Sequence, residues 1–237
     1  SQRISLATPI LINGGTKDSS MISCALLSLK GDSLEGIDAT LHNINKLSKD
    51  AAGIGLWIGN LRSNQSRVGG RGKAGGVVRF ATMLNEHMKF YNQRGSRAGS
   101  AALYLDVWHR QIEDFLELRL PEGDENLRTR DLFLAVVIND LFYKKCQNGE
   151  DWYLFDPHDI SNLGIKPLYE CLNEEFENIY NKLVLLANEG QIPYKKIEAI
   201  EILQKITHSQ IKSGLPYVFN KENANIGYNQ SNWGVCK

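Results

Sequence analysis

The chain has 237 residues, 42% of them hydrophobic and 23% charged, with 27 basic side chains balanced by 27 acidic ones. This is the composition of a soluble globular protein long enough to bury a real core. Charge balance argues against a general nucleic-acid coat, and no run of 18 apolar residues is present to make a transmembrane helix.

The start, S-Q-R-I-S-L-A-T-P-I-L-I, lacks the charged head and long apolar middle of a signal peptide, and it has no initiator Met, as expected of a processed or truncated piece. Thr8 to Asn13 is a short apolar run closed by N-G-G-T, which predicts a buried strand and a turn. Ile22 to Leu29 predicts a second strand. Asp32 or Ser33 then caps a helix from Leu34 to about Lys49, with Leu34, Ile37, Leu41, Ile44 and Leu47 near the 3.6 period. A glycine-punctuated strand follows through A-A-G-I-G-L-W-I-G-N-L. Val77 to Tyr91 is helical by pattern, and S-A-A-L-Y-L-D-V is a strong strand. Ile112 to Leu118 predicts a short helix, L-F-L-A-V-V-I a buried strand, and Leu141 to Lys145 the start of a helix ended by N-G. W-Y-L-F and D-P give a strand and a turn. Two long helices are expected over Pro167–Ala187 and Lys195–Ser213, then a strand at Y-V-F and an Asn-rich loop. Buried strands alternating with helices predict an α/β parallel sheet, open or closed into a barrel. No linker or repeat divides the chain, so residues 1–237 are expected to form part of one domain.

The four cysteines (Cys24, Cys146, Cys171, Cys236) form no C-x-x-C pair, which excludes common zinc ribbons and thioredoxin-type motifs. Scattered thiols without a signal peptide predict a reducing, cytoplasmic setting. The five histidines show no metal-ligand spacing, so no metal is expected. Ser23-Cys24 sits mid-strand among apolar neighbours, where a buried thiol is usually inert. Asp106, Glu113 and Asp114, near Trp108-His109, have the chemistry of acid/base residues, although helical placement of Glu113 and Asp114 more often means a solvated face.

Between Arg62 and Gly99 the chain holds eight basic residues against the single acid Glu86. Glycine lets backbone amides approach a ligand, and arginine forks onto phosphate oxygens. Two basic loops flanking one helix therefore suggest a site for a phosphorylated small molecule. G-G-R-G-K-A-G-G (69–76) is not a P-loop, because Ala74 stands where a magnesium-binding hydroxyl is required.

Taken in order, S-C-A-L-L-S-L-K-G-D-S-L-E-G-I, A-G-I-G, the basic loops, A-L-Y-L-D-V-W-H, I-E-D-F-L-E-L-R, L-R-T-R-D-L-F, D-W-Y-L-F-D-P and S-G-L-P-Y-V-F resemble the large, catalytic subunit of ribonucleotide reductases. The W-H and R-T-R-D-L-F wording is closer to the aerobic class I enzymes than to the cobalamin-dependent class. The resemblance implies a ten-stranded α/β barrel of two halves, of which this chain supplies the first five parallel strands. It implies radical-based reduction of ribonucleotides, with Cys24 as the first member of the redox-active cysteine pair. Thr8, Ser23, Gly53 and Arg97 then fall at substrate positions. Asp32, Ser33 and Leu34 match the segment that grips an effector's deoxyribose and base, and Lys49, Arg62, Gly69 and Gly70 the remaining effector contacts. The loop Gln93–Ser100 matches the relay from effector to substrate. No cofactor is expected on this segment itself. Its implied ligands are nucleotide effectors (dNTP or ATP, with Mg2+) and a ribonucleotide substrate. The implied partners are a second large subunit packed on helices 34–49 and 77–91, a small radical-generating subunit and a thioredoxin- or glutaredoxin-type reductant, with neither nucleic acid nor membrane. The family's N-terminal ATP cone and its S-N-L-C-x-E motif are missing from 1–237, so the segment alone is expected to be inactive. Two alternatives are a nucleotide-binding regulatory module without chemistry and a cobalamin-dependent relative; a pure effector binder has no use for Ser23-Cys24.

Overall fold

The structure, a computed structural model, describes residues 4–17, 21–49, 52–70, 72–90 and 99–237. Its centre is a five-stranded sheet of β1 (Cys24–Ser28), β2 (Gly53–Trp57), β5 (Ala101–Asp106), β6 (Leu132–Ile138) and β9 (Tyr217–Asn220), in that spatial order and all parallel. Each strand lies beside the preceding strand of the same sheet. Helices α2 (Leu34–Lys49), α3 (Gly76–Phe90) and α4 (Ile112–Glu117) make the first three returns. The sheet does not close into a barrel by itself.

Parallel register places paired residues on one face. Ile54, Leu56, Leu103, Leu105, Leu134 and Val136 share one face and enter the hydrophobic core beneath the helices. The opposite face carries Cys24, Leu26, Gly53, Gly55, Ala102, Tyr104, Phe133 and Tyr217. Leu26 there is 74% exposed, and Phe133 and Tyr217, stacked at 6.3 Å, are also exposed. Only toward the carboxyl ends of the strands is this face covered. There Trp57 meets the edge of Tyr169 at 4.8 Å, and Lys237 Nζ lies over both rings.

Between β6 and β9 the chain builds a second layer: α5 (Asp140–Asn148), β7 (Asp151–Phe155), α6 (Pro157–Asn162), α7 (Asn173–Asn188), β8 (Tyr194–Glu198) and α8 (Ala199–Ser213). β7 and β8 form an antiparallel ribbon. Trp152 stacks on Tyr180 at 4.4 Å, and the Tyr180 hydroxyl accepts from Tyr153 N and donates to Tyr153 O. Burying an aromatic ring of this size contributes on the order of 2–3 kcal/mol.

Five expectations are corrected. Thr8–Asn13 is a helix, α1, rather than a strand: Pro9 sits in its first turn, where a fixed φ and a missing N–H cost nothing. The helix expected from Pro167 begins at Asn173, after a 3-10 turn at Leu168–Glu170. The one expected from Lys195 begins at Ala199, because 194–198 pair with β7, Trp152 opposite Ile197. The D-P turn opens α6, where Asp156 caps the His158 amide at 2.9 Å, and the Asn-rich loop begins with helix α9 (Lys221–Ile226). Among the described residues no helix is long and apolar enough to cross a membrane.

Candidate functional site

Most of the candidate ligand-binding and redox residues that the structure describes lie in two places, one at each end of β1. Four rises of about 3.3 Å, from Cys24 to Ser28, put those ends roughly 13 Å apart.

Beyond the carboxyl end of β1 the chain turns into α2. Ser33 caps that helix, its Oγ accepting from Gly36 N at 3.1 Å, and Ile37 N bonds to its carbonyl at 3.0 Å. Glu35 follows in the first turn; backbone amide and Ser33 hydrogen bonds hold its carboxyl below the ordinary value. Asp32 is ion-paired with Arg62 Nε, and Arg62 Nη1 donates to Arg67 O at 2.9 Å. Arg67 belongs to a small hairpin absent from the sequence reading, β3 (Arg67–Val68) with β4 (Gly72–Lys73). Gly69 and Gly70 both take left-handed φ, 56° and 79°, which glycine adopts without a Cβ penalty. Asp32, Ser33, Leu34, Arg62 and Gly69 all line one cavity of about 610 Å3, closed on the other side by Gly76, Arg79, Phe80 and Met83 of α3. Gly70 is next to it in the hairpin turn. Lys49 closes α2 at the helix's far end and does not line the cavity. Asn45 of α2 and His87 of α3 meet at 2.6 Å, tying together the two helices that border it. Arg79, the cavity's second guanidinium, was read in the sequence only as one of the eight basic residues.

The second place is the start of β1 on the uncovered face. Cys24 is the exposed member of four free cysteines, so the expectation that this thiol is buried is overturned. β1 is the sheet's edge strand, and Gly53 pairs directly with Cys24 on its inner neighbour. A Cβ on Gly53 would lie 3.7 Å from Cys24 Sγ, so the missing side chain leaves the thiol uncovered. Gly53 N donates to Ser23 O at 2.8 Å, and the Ser23 hydroxyl lies 4.0 Å from the sulfur. Tyr104 lies on the same face; burial first, then its neighbours Tyr217, Cys236 and Cys24, raise its hydroxyl above the ordinary value. Thr8 opens α1. Arg97 and most of the Gln93–Ser100 loop lie outside the described residues.

The candidate acids have structural employment. Asp106 is fully buried and accepts from Trp57 Nε1 at 2.8 Å; burial raises its carboxyl, against the nearby Lys221 ammonium. Glu113, expected on a solvated face, is mostly covered and ion-paired with both Lys195 and Lys205. Asp114 accepts from Gln111 Nε2 at 3.1 Å. Among the described residues no three His, Cys, Asp or Glu side chains converge on a metal-sized site.

The family model for the ribonucleotide reductase barrel domain matches residues 22–236. The chain is 39% identical over 233 residues to the ribonucleoside-diphosphate reductase large subunit of Plasmodium falciparum (isolate Dd2), covering 98% of this chain and 28% of that protein. It is 37% identical, with the same coverage, to the large subunit of Arabidopsis thaliana. It is 35% identical to subunit alpha of Synechocystis, covering 96% of this chain and 30% of that protein. The chain thus spans less than a third of the curated relatives it matches.

Proposed function

This chain belongs to the ribonucleotide reductase barrel family, and on that premise we propose that it is the first half-barrel of a class I ribonucleoside-diphosphate reductase large subunit. The observation that carries the reading is Cys24: an exposed thiol on the uncovered sheet face, with Ser23 and the bare Gly53 backbone beside it. The overall reaction replaces the ribose 2′-hydroxyl by hydrogen and releases water, and it requires two electrons and two protons. A dithiol supplies both as it closes to a disulfide. Cys24 is one of those thiols; its partner, and the cysteine that carries the radical, belong to chain outside this segment. Ser23 and the Gly53 backbone, with Thr8 and Arg97, would hold the nucleotide. The exposed Leu26, Phe133 and Tyr217 are the apolar surface that the second half-barrel would cover.

The 610 Å3 cavity is read as the seat of a deoxynucleotide or ATP effector. Ser33 and Leu34 would meet sugar and base, while Arg62 and the Gly69–Gly70 turn would meet phosphate. Magnesium would arrive on the nucleotide's own phosphates. A second large subunit would pack against α2 and α3, where Leu34 and Met83 are exposed beside the cavity. The small radical-generating subunit, a thioredoxin- or glutaredoxin-type reductant and a cytoplasmic setting complete this reading.

The test is Cys24→Ser in the full-length subunit assayed with its small subunit. Multiple turnover on a dithiol reductant should be lost while effector binding persists. Sustained turnover at the wild-type rate would remove Cys24 from the redox pair.

A further inference from the structure

The segment from Leu61 to Val77 brings Arg62 and Gly69 to the cavity, and buried side chains hold its shape from behind: Asp156 Oδ2 accepts from Ser63 N at 3.0 Å and from the Ser66 hydroxyl, and a glutamine joins the segment's two ends. Gln111, 2% exposed, follows β5 just before α4. Its Oε1 accepts two backbone amides at once, Asn64 N at 2.8 Å and Val77 N at 2.9 Å. These amides lie near opposite ends of the segment, so a single oxygen ties its base shut. Val77 is in the first turn of α3, where a backbone N–H has no partner within the helix. Asp114 takes a hydrogen bond from Gln111 Nε2 at 3.1 Å, which fixes which end of the amide is the acceptor. The backbone of Gln111 donates to His109 Nδ1 at 3.1 Å, leaving His109 Nε2 to donate to Leu61 O at 2.8 Å. Gly76 makes room for this arrangement: a Cβ there would sit 2.2 Å from Gln111 Oε1.

We propose that Gln111 is a positioning residue of the effector loop, presetting Arg62 and the glycine hairpin by joining the two ends of the loop on its side-chain oxygen. The proposal rests on reading the cavity as an effector site. In this arrangement the loop is organised before nucleotide arrives, and the affinity retains what ordering the loop on binding would otherwise cost.

The experiment uses the full-length subunit and deoxyadenosine triphosphate as the probe. Gln111→Met keeps the volume and removes the acceptor; it should weaken binding about tenfold, the effect of a lost pair of neutral hydrogen bonds. The exchange Gln111→Glu with Asp114→Asn keeps an acceptor at 111 and a donor at 114, and it should bind within about threefold of wild type. Amide hydrogen exchange at Asn64 and Val77 gives a readout that packing alone would not move. Both amides should be protected in the nucleotide-free wild type and in the exchanged pair, and unprotected in Gln111→Met. Wild-type affinity in Gln111→Met, or an exchanged pair as weak as Gln111→Met, would overturn the proposal. Arg62→Ala serves as the comparison. If it weakens binding while Gln111→Met does not, only the clamp fails; if neither does, the effector reading fails with it. Should Gln111→Met not fold, fast exchange at Asn64 and Val77 in the nucleotide-free wild type would by itself refute the clamp.

Discussion

Replacing Arg62 by alanine tests the cavity most directly. A guanidinium has five N–H donors, and in this structure two are committed, Nε to Asp32 and Nη1 to Arg67 O. Three remain for a phosphate. A hydrogen bond to a charged group nets about 1.5–3 kcal/mol, so losing one lowers affinity by roughly ten- to a hundredfold. The upper part of that range is expected, because the substitution also leaves the Asp32 carboxylate without its cation beside an incoming polyanion. It further frees the Arg67 carbonyl, loosening the hairpin that bears Gly69. Calorimetric titration of a deoxynucleoside triphosphate into the full-length subunit, near physiological salt, measures the loss. The double change Arg62→Ala with Asp32→Asn should recover part of it by removing the stranded charge. Affinity equal to wild type in Arg62→Ala would refute the phosphate assignment, and no recovery in the double change would refute the role given to Asp32.

Two further substitutions probe what holds the scaffold. Burial alone would raise the Glu113 carboxyl, but the hydrogen bonds from Lys195 and Lys205 outweigh it and hold the group below its ordinary value. Its folded pKa is therefore below the unfolded one, so its stabilisation is present above about pH 4.3 and is lost as the pH falls through the folded pKa. With both lysines about half exposed, Glu113→Gln should lower the unfolding free energy at pH 7 by about 1 kcal/mol. The gap should close at acid pH; a gap that persists there would contradict the pairing. Lys221 is fully buried, donates to Tyr169 O at 2.7 Å and neighbours Asp106 and Glu222. Lys221→Met strands buried acids and should cost about 3 kcal/mol or more in urea unfolding, with much of it restored by adding Asp106→Asn. A cost under about 1 kcal/mol would show that the ammonium is not paired.

The parallel sheet was legible because its strands are continuous apolar runs such as L-F-L-A-V-V-I, set off by turn residues and alternating with helices of clear period. Short apolar runs are the ambiguous case. T-P-I-L-I-N has no period long enough to separate strand from helix, and the proline in its first turn was the available signal. Tyr194–Glu198 carries three charged residues in five, and only its cross-strand partners in β7 make it a strand. The cavity at the carboxyl end of β1 was legible in part: Asp32, Ser33 and Leu34 announce themselves as a cap, and Arg62 and Gly69 by composition. Gln111 was not. Its role is to accept two amides distant in sequence, and nothing in W-H-R-Q-I-E marks that before the chain is folded.

The order of the central sheet also bears on how the polypeptide can assemble during synthesis. β2, β5 and β6 each dock on the preceding strand of the same sheet, with only the short β3–β4 hairpin intervening before β5, so the sheet can extend one edge at a time behind the ribosome. β9 is the exception. It joins β6 only after the whole β7–β8 ribbon and helices α5 to α8 have been made, a long closure that is entropically slower. During that interval β6 presents an open, Val- and Leu-rich edge, the kind that pairs with other chains. The step most exposed to misassembly is therefore the arrival of the last strand, far in sequence from the thiol and the cavity that the sheet supports.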